Sequence, residues 1–242
     1  MRARTLAWGL ALCAAVPAAA RAQVEVVGVA PSRSPYRDIT DLQNLSVFAG
    51  RFAGDVGNGG VGARPGLALG ARLDVRLSGP VAFWVSAGEA VSSHRVLTLA
   101  SNGTVDSIYV AGTNRLTLLA ADLGLGLDLT GRKTWHGLAP YVGIGLGVIA
   151  PTRAVTDSLG FRIGATFTLV PTVGTRWFVS RDVALQVEAR DYYFKYAYPL
   201  GFFDTPFKGP PPRASLMPTS MTNAQWTHNV TLWVGLSYGF TF

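Results

Sequence analysis

The chain reads as an all-β protein: an eight-stranded, antiparallel, up-and-down transmembrane β-barrel. Three observations predict this. The last seventeen residues, Trp226 to Phe242, alternate, with Val230, Leu232, Val234, Leu236, Tyr238, Phe240 and Phe242 on one face and mostly small or polar residues on the other. A period of two is a strand, and this one is far longer than the roughly five or six residues usual in a soluble sheet. Segments of the same kind recur, eight in all, joined by alternately short and long connections, as in outer-membrane barrels. Finally, 49% of the residues are hydrophobic and 14% charged. No apolar run after residue 22 reaches the roughly twenty residues of a spanning helix, so the oily residues are diluted one in two.

Residues 1–22 have the three parts of a secretory signal peptide: Arg2 and Arg4, an apolar stretch from Leu6 to Val16, and the small-residue cleavage pattern Ala20-Arg21-Ala22. The single cysteine, Cys13, falls inside it, so the mature chain has no thiol chemistry. The formal charge of +7 drops to +4 once Arg2, Arg4 and Arg21 are removed. That mild excess, with no basic block, excludes nucleic acid as a partner. Residues 23–43, with Pro31 and Pro35 and no clean period, read as a periplasmic leader, and 44–242 as the barrel domain.

The strands follow in order. Strand one is Leu45 to Gly54, with ambiguous parity because Val47 and Ala49 compete with Phe48 and Phe52. Strand two, Leu67 to Leu77, sets five leucines and valines opposite Gly70, Arg72, Asp74 and Arg76. Ser78-Gly79-Pro80 is a turn, and strand three runs from Val81 to Val91. Ser92 to Gly112 is a long connection in which Asn102-Gly103 marks a turn. Strand four, Asn114 to Leu129, sets Leu119, Leu123, Leu125 and Leu127 opposite Asp122, Gly124, Gly126 and Asp128. Strands five (Leu138–Ala150), six (Phe161–Val179) and seven (Val183–Phe194) alternate in the same way. Tyr196 to Ala224 is the longest loop, with Pro210-Pro211-Pro212 at its centre, and Trp226 to Phe242 closes the barrel.

Two architectures suit eight such strands. A soluble barrel turns its Leu/Val face inward around an apolar ligand; a membrane barrel turns it outward. Strand length, the terminal Phe and the aromatic cluster Tyr192, Tyr193, Phe194, Tyr196 and Tyr198 favour the membrane. The polar face then lines the lumen. It carries Arg72, Asp74, Arg76, Asp122, Asp128, Arg176, Glu188 and Arg190. Enclosed charges must pair, because an uncompensated buried charge costs several kcal/mol, so these eight are expected to form a lumenal network. The inward glycines 124, 126, 143, 145 and 147 leave a wet pocket unless Trp84, Phe178 or Trp233 fills it.

No catalytic, cofactor or metal motif stands out, and the chain is not expected to be an enzyme. Gly143-x-Gly145-x-Gly147 has the wrong spacing for a dinucleotide loop and precedes no helix. His94 falls in a loop and His136 in a turn, both expected at the surface. His228 falls on the lipid face near the outer rim, but Val230 stands where a serine would complete a catalytic pair.

The stretch GTRWFVSRDVALQVEARDYY and the terminal WVGLSYGFTF resemble the small OmpA-like outer-membrane barrel family, over about residues 45 to 242. The resemblance implies a bacterial outer-membrane location in the cell envelope, surrounded by outer-membrane lipid and lipopolysaccharide. It also implies insertion by the barrel assembly machinery, which reads a terminal aromatic strand, here Tyr238, Phe240 and Phe242. The expected role of this monomer is structural or in surface interaction through its external loops. A narrow passive channel and a lipid-modifying enzyme are the alternatives.

Overall fold

Alternation dictates the architecture: each long strand has one face to hide and one to show, and closure into a ring leaves no edge unpaired. The computed structural model describes residues 34–101, 106–153, 155–156, 159–203, 215–218 and 220–241. The signal peptide 1–22, most of the leader, Asn102-Gly103, the triple proline and Phe242 lie outside them. Within the unit from Tyr36 to Phe242, eight strands make the ring: β1 (Gln43–Ala53), β2 (Gly66–Ser78), β3 (Val81–Ser101), β4 (Asp106–Asp128), β5 (Leu138–Pro151), β6 (Thr166–Phe178), β7 (Val183–Ala197) and β8 (Ala224–Phe240). Each pairs antiparallel with its neighbours in sequence. The ring closes where β8 meets β1, Trp233 opposite Gly50 and Tyr238 opposite Leu45.

Several boundaries differ from the sequence reading. Residues 92–101 and 106–112, expected within a connection, instead extend β3 and β4 as paired strands. Val91 is the last β3 residue paired to β2 and Leu118 the first β4 residue paired to β5, whereas β3 and β4 stay in register out to Ser101 and Asp106. One slip, between Val96 and Leu97, interrupts them. Strand six starts at Thr166, because Arg162–Ile163 pairs instead with Val155–Thr156. The leader is not wholly a tail: Tyr36–Asp38 pairs with Lys133–Trp135, inside the expected turn, and the Ile39 N–H reaches the Arg132 carbonyl at 2.8 Å.

The parity of β1 is settled by burial. Phe48 and Phe52 point inward, and Leu45 and Val47 outward. The outward face of the ring is apolar on every strand: Leu67, at 71% exposure, on β2, Leu123 on β4, Ile144 on β5, Val173 on β6, Val187 on β7 and Val234 on β8. From Leu77 to Leu67 this belt climbs on the order of 25 Å, taking about 3.3 Å per residue and a tilt near 40°. Toward the long connections, polar residues join the outward face: Arg51, Arg115, Lys195 and His228 are exposed, beside exposed Tyr109 and Trp226.

Candidate functional site

The interior has two layers, and the one beside the short turns is polar. All eight predicted lumenal residues point inward and are buried. Alternation does this: Arg72, Asp74 and Arg76 share one face of β2, Asp122 and Asp128 one face of β4, and Glu188 and Arg190 one face of β7, with Arg176 on β6. The guanidinium of Arg72 pairs with Asp74 at 2.8 Å and with Glu188. Arg190 pairs with the other oxygen of Glu188 and lies 3.4 Å from Asp122. Arg76 pairs with Asp128 at 2.9 Å, and Arg176 sits 3.7 Å from Asp128 and 3.9 Å from Asp74. The links join all eight into one chain of alternating charge running across the barrel.

Neutral groups complete the layer, and sequence reasoning passed over them. Tyr141 donates its hydroxyl proton to Glu188 and accepts from the Gln186 amide at 2.5 Å. Gln186 in turn accepts from Ser46 at 3.0 Å. The Tyr141 ring lies 4.9 Å from the Arg176 guanidinium and 5.2 Å from that of Arg72, close enough for cation–π attraction. Their inward parity on β1, β5 and β7 was the available signal.

Trp84 blocks what space remains. It is fully buried and donates its indole N–H to Asp122 at 2.8 Å, while Ser86 donates to the other Asp122 oxygen at 2.5 Å. Its ring lies on the glycine floor of β4 and β5. A Cβ on Gly143 would stand 2.6 Å from the ring, and one on Gly124 2.4 Å away. The pocket that the glycines open is therefore filled, and by the first of the three side chains considered for it.

The layer beside the long connections is largely apolar and aromatic, with His94, Thr168, Thr227 and Asn229 buried among its side chains, which corrects the expectation of a polar network filling the lumen. Phe52, Leu116, Leu118, Ile149 and Val170 point inward there. The aromatic cluster expected at the membrane rim is mostly part of this core: Tyr192, Phe194, Tyr196 and Tyr198 are buried inside, and Tyr193 alone of the five faces out. Phe161 stacks on Tyr198 at 5.8 Å, and Phe202 closes over both. The glycine-rich connection between β1 and β2 folds into the mouth and buries Val61 and Ala63. It is held by the Ala63 N–H donating to the Tyr196 hydroxyl at 2.9 Å. A side chain on Gly62 would collide with Tyr196 at 2.5 Å, which explains a glycine there.

The histidines part company with expectation at one position. His94 is not a surface residue: it is 1% exposed and continues the inward row of Trp84, Ser86 and Ser92 up β3. His136 is exposed in its turn. His228 faces outward, its side chain 70% exposed, with Nδ1 2.5 Å from Asp191 and the ring 4.6 Å from that of Tyr193. Tyr193 also stacks on Trp226 at 5.0 Å. Asp191 stands beside an interruption in the β6–β7 ladder at Pro171, and one of its oxygens accepts the Asn229 N–H at 2.9 Å. At the opposite end of β8, Tyr238 and Phe240 stack outward, 6.4 Å apart. Among the described residues no group of His, Asp and Glu has metal-holding geometry.

No family model matches the chain, and no curated protein matches it. Among solved structures it is similar to Neisserial surface protein A, with 13% identity, 86% of this chain and 98% of that one covered, and a TM-score of 0.48. It is also similar to the outer membrane protein OprG from Pseudomonas aeruginosa, with 12% identity, coverage of 84% and 98%, and a TM-score of 0.46. The N-terminal β-barrel domain of OprF from the same organism shares 14% identity, with coverage of 81% and 97% and a TM-score of 0.38. At such identities the likeness is one of fold alone.

Proposed function

We propose that this is an outer-membrane protein whose barrel is closed along its axis, and that it serves a structural or surface-interaction role. The observation that supports it is the double block of the interior. A charge layer sealed by Trp84 lies at the turn end, and an aromatic core under a folded-in loop lies at the other. The membrane location rests on the outward belt. Water-soluble monomers rarely expose contiguous apolar patches beyond a few hundred Å², whereas here the apolar face runs around the whole ring at a bilayer's height. Short turns then face the periplasm, and the β3–β4 hairpin stands outside as the surface offered to partners. The exposed aromatic end of β8, Tyr238 and Phe240, is the part the assembly machinery would read.

No catalytic step is assigned. His228 is oriented by Asp191, but the next outward residue on β8 is Val230, which supplies no nucleophile. Planar-bilayer recordings on the purified protein test the reading. Absence of steady conductance is expected; steady current abolished by Arg190→Glu would overturn the closed lumen.

A further inference from the structure

On the outer wall, where β3, β4 and β5 lie side by side, two adjoining hollows differ in character. The lower one, about 630 Å³, lies within the apolar belt. Two rows of outward residues make it. Register pairs Ala87 with Ala121 and Ala121 with Val148; one step toward the long connections it pairs Leu69 with Glu89, Glu89 with Leu119 and Leu119 with Ala150. Alanines where neighbouring rows carry Leu and Val leave a trough in an otherwise thick apolar surface.

The second hollow, about 290 Å³, opens where β4 and β5 part, and is lined by Arg115, Thr117, Thr152 and Arg153. The two hollows follow one another along both strands. Thr117 is the next outward residue after Leu119 on β4, and Thr152 follows two residues after Ala150. The Thr152 N–H donates to the Thr117 carbonyl at 2.9 Å and fixes the junction. Both arginines are exposed, and among the described residues neither has a carboxylate partner. Paired guanidiniums flanked by two threonines are suited to a tetrahedral oxyanion, for which Arg offers a fork of donors.

An oxyanion pocket above an apolar trough, at the height where a leaflet's headgroups meet its chains, describes an acylated phosphate. The geometry points to a binding site for a phosphorylated, acylated glycolipid of the outer leaflet, its phosphate between Arg115 and Arg153 and an acyl chain over Ala87 and Ala121. Glu89, in the row of the lower hollow nearer the long connections, fits the same ligand. A carboxylate there accepts hydrogen bonds from amide N–H or hydroxyl groups at the head of the chains, which a glycerophospholipid lacks. The inference rests on the membrane reading above and goes beyond it by assigning one wall and one ligand class.

The test uses the purified full chain in detergent, titrated with a diphosphorylated, N- and O-acylated glucosamine disaccharide. The same lipid stripped of phosphate, phosphatidylglycerol and inorganic phosphate are run beside it. Wild type should prefer the diphosphorylated lipid. Substituting both arginines (Arg115→Ser with Arg153→Ser) should weaken that binding by roughly tenfold or more, the loss of two charge-assisted contacts. Arg51→Ser, on β1 away from the trough, should change nothing. Ala121→Leu, which fills the trough, should weaken the lipid and leave inorganic phosphate unaffected; barrel closure of each variant is checked by its heat-dependent gel mobility. Equal binding by the double variant, equal binding of the dephosphorylated lipid, or equal competition by phosphatidylglycerol would overturn the assignment. A wild type that fails to insert into lipid vesicles sinks the membrane reading itself. One that inserts while the double variant keeps its lipid sinks only this site.

Discussion

The indole N–H of Trp84 on β3 meets the carboxylate of Asp122 on β4 at 2.8 Å, and the two seal the lumen between them. The hydrogen bond satisfies an indole N–H buried too deep to reach water. Replacing Trp84 with Ala should leave a cavity above the glycine floor and cost about 3–5 kcal/mol, measured by urea unfolding of the vesicle-inserted protein. Gly143→Ala should destabilise for the opposite reason, since its Cβ would press against the same ring. Equal stability of both variants with wild type would remove Trp84 as the seal.

Glu188 is the hub of the charge layer, shared by Arg72, Arg190 and Tyr141. Glu188→Gln keeps the shape and removes the charge, leaving two guanidiniums short of compensation. A loss of about 3–5 kcal/mol is expected, as when one partner of a buried pair is removed. The double change Arg72→Met with Glu188→Gln should recover part of it, and a denaturation cycle on the four proteins reads the coupling.

These residues also show how far the sequence could be read. Arg72, Asp74, Asp122 and Glu188 were legible because alternation in β2, β4 and β7 is nearly unbroken, so parity alone assigns their face. His94 escaped because SSHRVLTLAS mixes polar and apolar residues and looks like a loop, although the inward row Trp84, Ser86, Ser92 continues straight through it. Leu116 and Leu118 were missed for a related reason. An inward leucine contradicts a polar lumen, and only the three-dimensional arrival of the β1–β2 connection and Phe161 shows what it packs against. The tyrosines of β7 misled because an aromatic run at a strand end suits a membrane rim and a buried core equally well.

The lid makes a local prediction. Tyr196→Phe removes the acceptor of the Ala63 N–H while keeping the ring, so about 1 kcal/mol of local stability should disappear. Hydrogen exchange at the Ala63 amide should speed up several-fold, with β-ladder amides near Val187 unchanged.

At the turn end, burial raises the carboxyl pKa of Asp41, Asp182 raises it further, and Arg76 partly offsets both. The native state therefore holds the proton more tightly than the unfolded chain does. The resulting stabilisation is fully present below the ordinary Asp value and is lost as pH rises through the elevated one. Exchange at the Ile39 amide, corrected for its intrinsic pH dependence, should be slower near pH 3 than near pH 7. Asp41→Asn should abolish the difference.

The charge layer has a consequence for electrical behaviour. Arg72, Arg76, Arg176 and Arg190 are balanced by Asp74, Asp122, Asp128 and Glu188, and the pairs are tied to strands that cannot slide. Moving one elementary charge through 100 mV is worth about 2.3 kcal/mol, but a neutral set fixed to a rigid ring displaces none. In the membrane setting proposed above, this charge layer contributes no net gating charge.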